Sequence, residues 1–244
     1  MKSFKALLAA SVLVLSSSAA FAQSYGSWND GSSSWSGGAG AQSGWAAGGP
    51  NASGSNIVNG QINLQTNWSN LTGSIDTTGG DATATGAAAG NLIDITTMNN
   101  TTVKNAQIVG YSSSVGSNVA VDMNNVWGNA GVGNQAVCNG ASVSTDPTYA
   151  STQNFQKCNA SSTYSGITTN ISNVAGNAVV QGAAIANTFE ADSNAPNMPI
   201  LSKQINTSGV TSNINTNLYN VGGTASLSSS AIGNSSQIIH YSTN

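Results

Sequence analysis

Apolar and polar residues alternate along much of the chain, in a unit that recurs about every 48 residues. A glycine marks each copy, with steps of 48, 48 and 47 residues between them: Gly80, Gly128, Gly176 and Gly223. Even offsets around this glycine hold apolar or small residues, whereas odd offsets are mostly polar. A period of two is typical of a β-strand with one buried face. The pattern therefore predicts four copies of one strand-rich unit.

An asparagine recurs eleven residues after the marker glycine in every copy: Asn91, Asn139, Asn187 and Asn234. Stacked copies of one asparagine can form a ladder, in which each side-chain amide bonds to the copies above and below. We expect this ladder to lie at one corner of the repeat. We also expect the marker glycines to occupy a corner where the backbone needs a positive φ.

The alternation changes phase between offsets −5 and −2 and again after offset +8, and each change predicts a place where the chain turns. Short strands with regular corners and a fixed repeat predict an all-β fold of the β-solenoid (β-helix) class. We interpret each repeat as two coils of roughly 24 residues, which gives about eight coils and a rod roughly 40 Å long. Residues 140–165 and 190–199 are predicted to be loops.

Three segments are predicted from the composition. Residues 1–22 have a positive start, a short apolar core and the small-residue site "AFA", which together predict a cleaved signal peptide. Residues 23–60 form a Gly/Ser/Trp-rich flexible segment, and residues 61–244 form the solenoid. The tryptophans Trp28, Trp35 and Trp45 are interpreted either as part of a plain linker or as docking anchors on a flexible chain.

Charge narrows the classes of partner. Only 5% of residues are charged, against about a quarter in ordinary globular proteins. After residue 22 the chain has three lysines, no arginine and eight acidic residues, a net charge of about −5. Nucleic acid and anionic lipid both require basic residues. We therefore expect neither as a partner, and we expect the protein to be exported.

The two cysteines, Cys138 and Cys158, have two interpretations in an exported chain. They form a disulfide, which would contribute about 3 kcal/mol, or Cys138 is a small buried residue like Gly90 and Ala186 at the same place in other copies. One histidine, His240, and two cysteines at these spacings give no zinc pattern. No metal or cofactor is therefore expected.

Candidate catalytic residues are sparse. Asp81, Asp94, Asp122 and Asp146 lie in different parts of the repeat, whereas solenoid enzymes that cleave acidic polysaccharides need clustered aspartates with Arg or Lys. A serine nucleophile paired with His240 lacks the "GxSxG" signature. We expect no enzymatic activity and no catalytic residue.

Two lines of the sequence resemble a known family. "SSSAIGNSSQI" (228–238) and its weaker copy "GAAIANTFEA" (182–191) resemble the "AIGN"-type repeats of holdfast-attachment and curlin-like surface proteins of stalked bacteria. The resemblance implies a secreted, outer-membrane-associated adhesion or anchoring protein of amyloid-like character, exported through a dedicated pore.

The function we expect is structural or adhesive, at the cell surface or outer membrane. The alternatives are an amyloid-type fibre subunit and a carbohydrate-binding or carbohydrate-cleaving β-helix. Expected partners are the chain itself, other surface proteins, and surface polysaccharide. The last coil ends without a charged cap, so we expect an assembly edge at Ile238 and Ile239.

Overall fold

The computed structural model describes residues 28–29, 34–35, 55–98, 100–145, 150–195 and 198–241. The described residues form strands joined by short turns, with no helix. The predicted all-β solenoid class is confirmed. The strands are β1 (Trp28–Asn29), β2 (Ser34–Trp35), β3 (Ser55–Asn63), β4 (Asn67–Thr78), β5 (Ala82–Thr97), β6 (Thr101–Val109), β7 (Ser114–Val126), β8 (Ala130–Thr145), β9 (Ala150–Cys158), β10 (Ser162–Val174), β11 (Ala178–Ser193), β12 (Ile200–Asn206), β13 (Gly209–Val221) and β14 (Ala225–His240).

The chain divides into two units, residues 1–51 and residues 52–244. The first contains β1 and β2, a two-residue antiparallel pair. The second contains the twelve remaining strands. Its first strand begins at Ser55, upstream of the start at residue 61 expected from the composition.

The second unit consists of three parallel sheets of four strands each. Sheet S1 contains β3, β6, β9 and β12; sheet S2 contains β4, β7, β10 and β13; sheet S3 contains β5, β8, β11 and β14. Every coil therefore runs through S1, S2 and S3 in turn, and the next coil pairs with it strand by strand. The marker positions stay in register, since Ala82 pairs with Ala130, which pairs with Ala178.

The interpretation of each repeat as two coils is wrong, because one repeat is one coil. Residues 48 or so apart pair directly, as Leu71 does with Val119, so the unit has four coils rather than eight. Only three steps of about 4.8 Å separate the first coil from the last. The coil is long because it contains three strands, and the strand in S1 was not recognised.

That missed strand also explains the loop prediction for residues 140–165, which is wrong. This range contains the end of β8, all of β9 and the start of β10. The inward residues of β9 are mostly polar: Thr152, Asn154 and Gln156 are all buried. An apolar–polar alternation therefore does not exist there. Residues 190–193, predicted as part of a second loop, are the end of β11.

Each S3 strand contacts both of the other sheets, because it is 16 residues long. The first half of each S3 strand packs against S2, as Val132 and Val180 do against Val119 and Ile167. The second half packs against S1, as Val143 does with Val103. The core is therefore a thin layer between S3 on one side and S1 with S2 on the other.

Each S3 strand lies between its own coil and the next one. The Asn134 amide in β8 donates both to Ser117 O in β7 (2.6 Å) and to Gly166 O in β10 (2.8 Å). Likewise, Gln61 in β3 donates to Leu92 O in β5 (3.0 Å), while Asn91 in β5 donates to Ile108 O in the following coil (3.0 Å). S3 is thus offset from S1 and S2 by about half a coil, and this offset makes the two ends of the solenoid different.

Candidate functional site

The four repeated asparagines lie in register and are joined by side-chain hydrogen bonds. Asn91 Nδ2 donates to Asn139 Oδ1 (2.9 Å), Asn139 Nδ2 to Asn187 Oδ1 (2.8 Å), and Asn187 Nδ2 to Asn234 Oδ1 (2.7 Å). They lie in the middle of the S3 strands, facing the core, and not at a corner as we expected. The phase change after offset +8 corresponds to consecutive buried residues, such as Ala186 and Asn187, where the strand passes from packing against S2 to packing against S1.

A second buried ladder lies in S1 and was missed. Gln107, Gln156 and Gln204 each donate through Nε2 to the glutamine of the preceding coil, at 2.8–2.9 Å. Each also donates to a carbonyl of S3, as Gln156 does to Thr188 O (2.9 Å). A glutamine recurring at this spacing was the available signal. The ladder holds S1 against S3 with hydrogen bonds where an ordinary core would use apolar contacts.

The corner between S2 and S3 needs a positive φ, but not at the marker glycines as we expected. The residue with φ near 54–55° lies three positions earlier in each copy: Thr77, Asn125, Asn173 and Asn220. Asparagine tolerates this left-handed conformation better than most residues. This residue causes the first phase change of the alternation.

Close stacking requires three of the four marker glycines instead, Gly128, Gly176 and Gly223, whereas a Cβ at Gly80 in the first coil would meet no atom within 4 Å. A Cβ at Gly176 would lie 2.7 Å from both Asn129 Oδ1 and Gly128 O. The Asn129 side chain occupies that space because its Oδ1 accepts a hydrogen bond from Asn177 N (2.9 Å). Asp81 Oδ1 likewise accepts a hydrogen bond from Asn129 N (2.8 Å). The corner is therefore a ladder of side-chain oxygens and backbone N–H groups.

Cys138 and Cys158 form a disulfide with a Cα–Cα distance of 6.0 Å. Both cysteines are fully buried in the small cluster where the three sheets meet. The bond joins β8 to β9, and so links the second coil to the third.

The last coil exposes residues that are buried in the inner coils. Leu227 is 55% exposed and Ile238 is 52% exposed, whereas their register partners Val180 and Ala191 are each 0% exposed. Ile239 pairs with Asp192 on the outward face, so the two isoleucines point to opposite sides of β14. The open inward face of β14 is called the end face below.

Aromatic residues occur in both units of the chain. Trp28 and Trp35 are register partners in the β1–β2 pair, and Trp45 lies outside the described residues, as does the predicted signal peptide. On the outer wall of S2, the rings of Trp68 and Tyr164 stack with centroids 6.1 Å apart. Gly116 lies between them, where a Cβ would come within 2.1 Å of the Trp68 ring. Sequence analysis missed this pair. The available signal was a repeat position that holds an aromatic residue in the first and third coils and a glycine in the second.

The residues considered for catalysis lie apart. Asp81 is at a corner, Asp94 is on the outer wall of S3, and Asp122 is on the outer wall of S2. Asp146 is outside the described residues. His240 Nε2 lies 2.6 Å from Ala195 O, at the end of β14. Within the described ranges, no three His, Cys, Asp or Glu side chains form a group that could hold a metal ion.

In the part of the chain that the structure describes, no helix has the length and apolarity to cross a lipid bilayer.

Comparison with curated proteins and with solved structures gives no match. A family model described as holdfast attachment protein D matches residues 80–243. The matched range contains all four asparagine-ladder positions, the disulfide and the end face. The family indicates a holdfast-related adhesion protein at the cell surface. The chain belongs to the holdfast attachment protein D family.

Proposed function

We propose that this protein is a non-catalytic anchoring module of the cell envelope, which holds surface material through its outer walls and is retained through its end face. The observation that carries the proposal is the combination of family membership with a last coil whose inward face the described residues leave largely uncovered. An inner coil buries Val180 and Ala191 completely, whereas the last coil leaves Leu227 and Ile238 uncovered. Repeat arrays normally end in a coil with a polar outer face, so an apolar face left open at the end of the stack indicates a contact site.

The outer walls support an adhesive role. Asn170 N and Asn170 Nδ2 both donate to Asp122 Oδ1 at 2.9 Å, and Asn217 Nδ2 donates to Asn170 Oδ1 at 2.8 Å. Such ladders align hydroxyl and amide groups at the spacing of the coils. Together with the stacked Trp68–Tyr164 pair, they offer a sparsely charged, regular surface to a surface polysaccharide, whose rings pack on aromatic faces and whose hydroxyls bond to amides.

The experiment is a gene deletion in the source bacterium, complemented with variants. Loss of the gene should reduce attachment under flow and release adhesive material into the medium. The wild-type gene and Ile239→Lys should restore attachment, because residue 239 points outward. Ile238→Lys should be exported but fail to be retained, because it places a charge on the end face.

Normal attachment by the deletion strain would contradict the adhesive role. Equal retention of Ile238→Lys and wild type would show that the end face is not the joint.

A further inference from the structure

We propose that the partner of the end face is a second copy of this chain, joined head to tail, with the inward face of β14 packed on β3 and β4 of the next copy. The inference rests on the proposed role of the end face and names its occupant. The two ends of the solenoid differ in shape, and the difference is complementary.

The first step is the offset between the sheets. Each S3 strand packs between the S1 and S2 strands of its own coil and those of the next coil, as the two hydrogen bonds of Asn134 show. Among the described residues, β14 packs only on the S1 and S2 strands of its own coil. The missing set is an S1 strand followed by an S2 strand at the same register, and β3 with β4 are such a pair.

The first coil has the matching gap. Leu71 and Ile75 in β4 are only partly buried, although their register partners Val119 and Met123 are fully buried. Between them, a Cβ on the inward-facing Gly73 would meet no atom within 4 Å. A docked β14 would fill this space as β5 fills the opposite side, so that Leu227 and Ile238 would be covered as Val180 and Ala191 are.

The ladders end in complementary groups. In the asparagine ladder every amide donates toward the last coil, so Asn234 Nδ2 has no acceptor among the described residues and Asn91 Oδ1 has no donor. In the glutamine ladder the direction is reversed. Gln204 Oε1 has no donor there, while Gln61 Nε2 keeps a second N–H after donating to Leu92 O.

One junction satisfies both ladders. Asn234 of one copy would donate to Asn91 of the next, and Gln61 of the next would donate to Gln204 of the first. A twofold, end-to-end pairing would instead oppose like groups, donor to donor. The contact is therefore heterologous, and a heterologous contact that does not close into a ring extends into a filament.

Three of the six strands at the two ends lack the usual protection of sheet edges. Natural edge strands carry lysine, proline or bulges that prevent pairing. β3, β13 and β14 contain no Asp, Glu, Lys, Arg or Pro, whereas β4, β5 and β12 each contain one charged residue, Asp76, Asp94 or Lys203. The backbone edges of β3, β13 and β14 are thus open to parallel pairing in the same register as the inner coils.

The experiment uses the full chain with one end blocked at a time. Leu227→Lys blocks the end face, and Gly73→Lys blocks the gap in the first coil; both positions have room for the new side chain. Ser228→Lys and Gly60→Lys are the matched controls, because they place the same charge on outward positions of β14 and β3. Thermal unfolding verifies that all four variants fold, and light scattering after gel filtration measures the mass.

Wild type and both controls should form species whose mass grows with concentration. Each blocked variant alone should remain a monomer, because every junction needs one end of each kind. An equal mixture of the two blocked variants should form a species of twice the monomer mass and nothing larger.

A monomeric wild type, a monomeric mixture, or blocked variants that assemble like wild type would each overturn the head-to-tail inference. If Ile238→Lys still abolishes retention on cells in that case, the proposed anchoring function survives and the end face binds a different surface partner.

Discussion

Strands β11 and β14 occupy the same place in successive repeats, yet they have opposite environments. They pair residue by residue, from Ala178 with Ala225 to Ser193 with His240. The inward residues of β11 are buried along its whole length, whereas most of those of β14 are exposed. Side-chain type does not account for the difference at Leu227 and Ile238, which are more than half exposed although each is larger than its fully buried partner, Val180 or Ala191.

The comparison teaches that burial in a solenoid is a property of the position in the stack. A repeat cannot bury its apolar face alone and depends on its neighbours. β11 contacts the S1 and S2 strands of its own coil and of the next coil, whereas β14 contacts only those of its own coil among the described residues. Equal sequence changes in the two strands should therefore have unequal effects.

The largest difference is expected at the asparagine ladder. Asn187→Asp removes the donor to Ile205 O and to Asn234 Oδ1 and buries a carboxylate at a fully buried site. We expect a loss of about 3 kcal/mol or more in the free energy of unfolding. Asn234→Asp should cost less than about 0.5 kcal/mol, because this exposed side chain keeps an oxygen for Asn187. Chemical denaturation measures both.

The same variant has a pH signature. Burial raises the pKa of a carboxyl above its unfolded value, so the neutral form is the one that the folded state tolerates. The deficit of Asn187→Asp should therefore be smaller at about pH 4 than at about pH 7. Equal losses at positions 187 and 234, or no change with pH, would show that the ladder does not stabilise the fold.

A smaller difference is expected for apolar residues. Val180→Ala should cost about 2 kcal/mol, since it leaves a cavity in a packed core. Leu227→Ala removes a larger side chain but should cost less than about 0.5 kcal/mol in the single chain, because that side chain is already largely in water. Chemical denaturation of both variants is measured in dilute solution, where assembly does not contribute to the free energy of unfolding. A greater loss at Leu227 than at Val180 would contradict the open end face.

The smallest effect concerns the corners of the first and third coils. Thr77 has φ 55° and Asn173 has φ 54°, but a β-branched residue is poorly suited to this conformation. Thr77→Asn should stabilise the protein by about 1 kcal/mol, and Asn173→Thr should destabilise it by a similar amount. Thermal unfolding of the two variants beside wild type measures the pair, and shifts of the same sign would refute the explanation.

The apolar alternation predicted the strands of S2 and S3, while the recurring glycine and asparagine predicted the repeat length and the residues of the asparagine ladder, though not its place in the middle of the S3 strands. It could not predict S1, because the inward residues Asn105, Gln107 and Gln156 are polar. Hydrophobic periodicity detects a strand only where the buried face is apolar. Here hydrogen-bonded ladders replace the apolar face, so a strand was mistaken for a loop and a three-strand coil for two shorter coils.

The role of glycine shows the same limit. The recurrence of Gly128 and Gly176 predicts a special backbone position, but it does not distinguish a positive φ from close stacking. The structure decides between them, because the Asx side chain of the preceding coil occupies the space of a Cβ. Asn125 and Asn173, three residues earlier, take the left-handed conformation.

The sequence by itself determined the β class, the four-fold repeat, the low charge and the residues that stack, because these follow from side-chain type and spacing. The tertiary structure decided which residues lie inside, how many strands form a coil, and how the two ends differ. Those features depend on neighbours that are 48 or so residues away along the chain and on the half-coil offset between the sheets. No local pattern contains that offset. Because of it, β14 in the last described coil lacks the S1 and S2 strands of a following coil, and its inward face stays open.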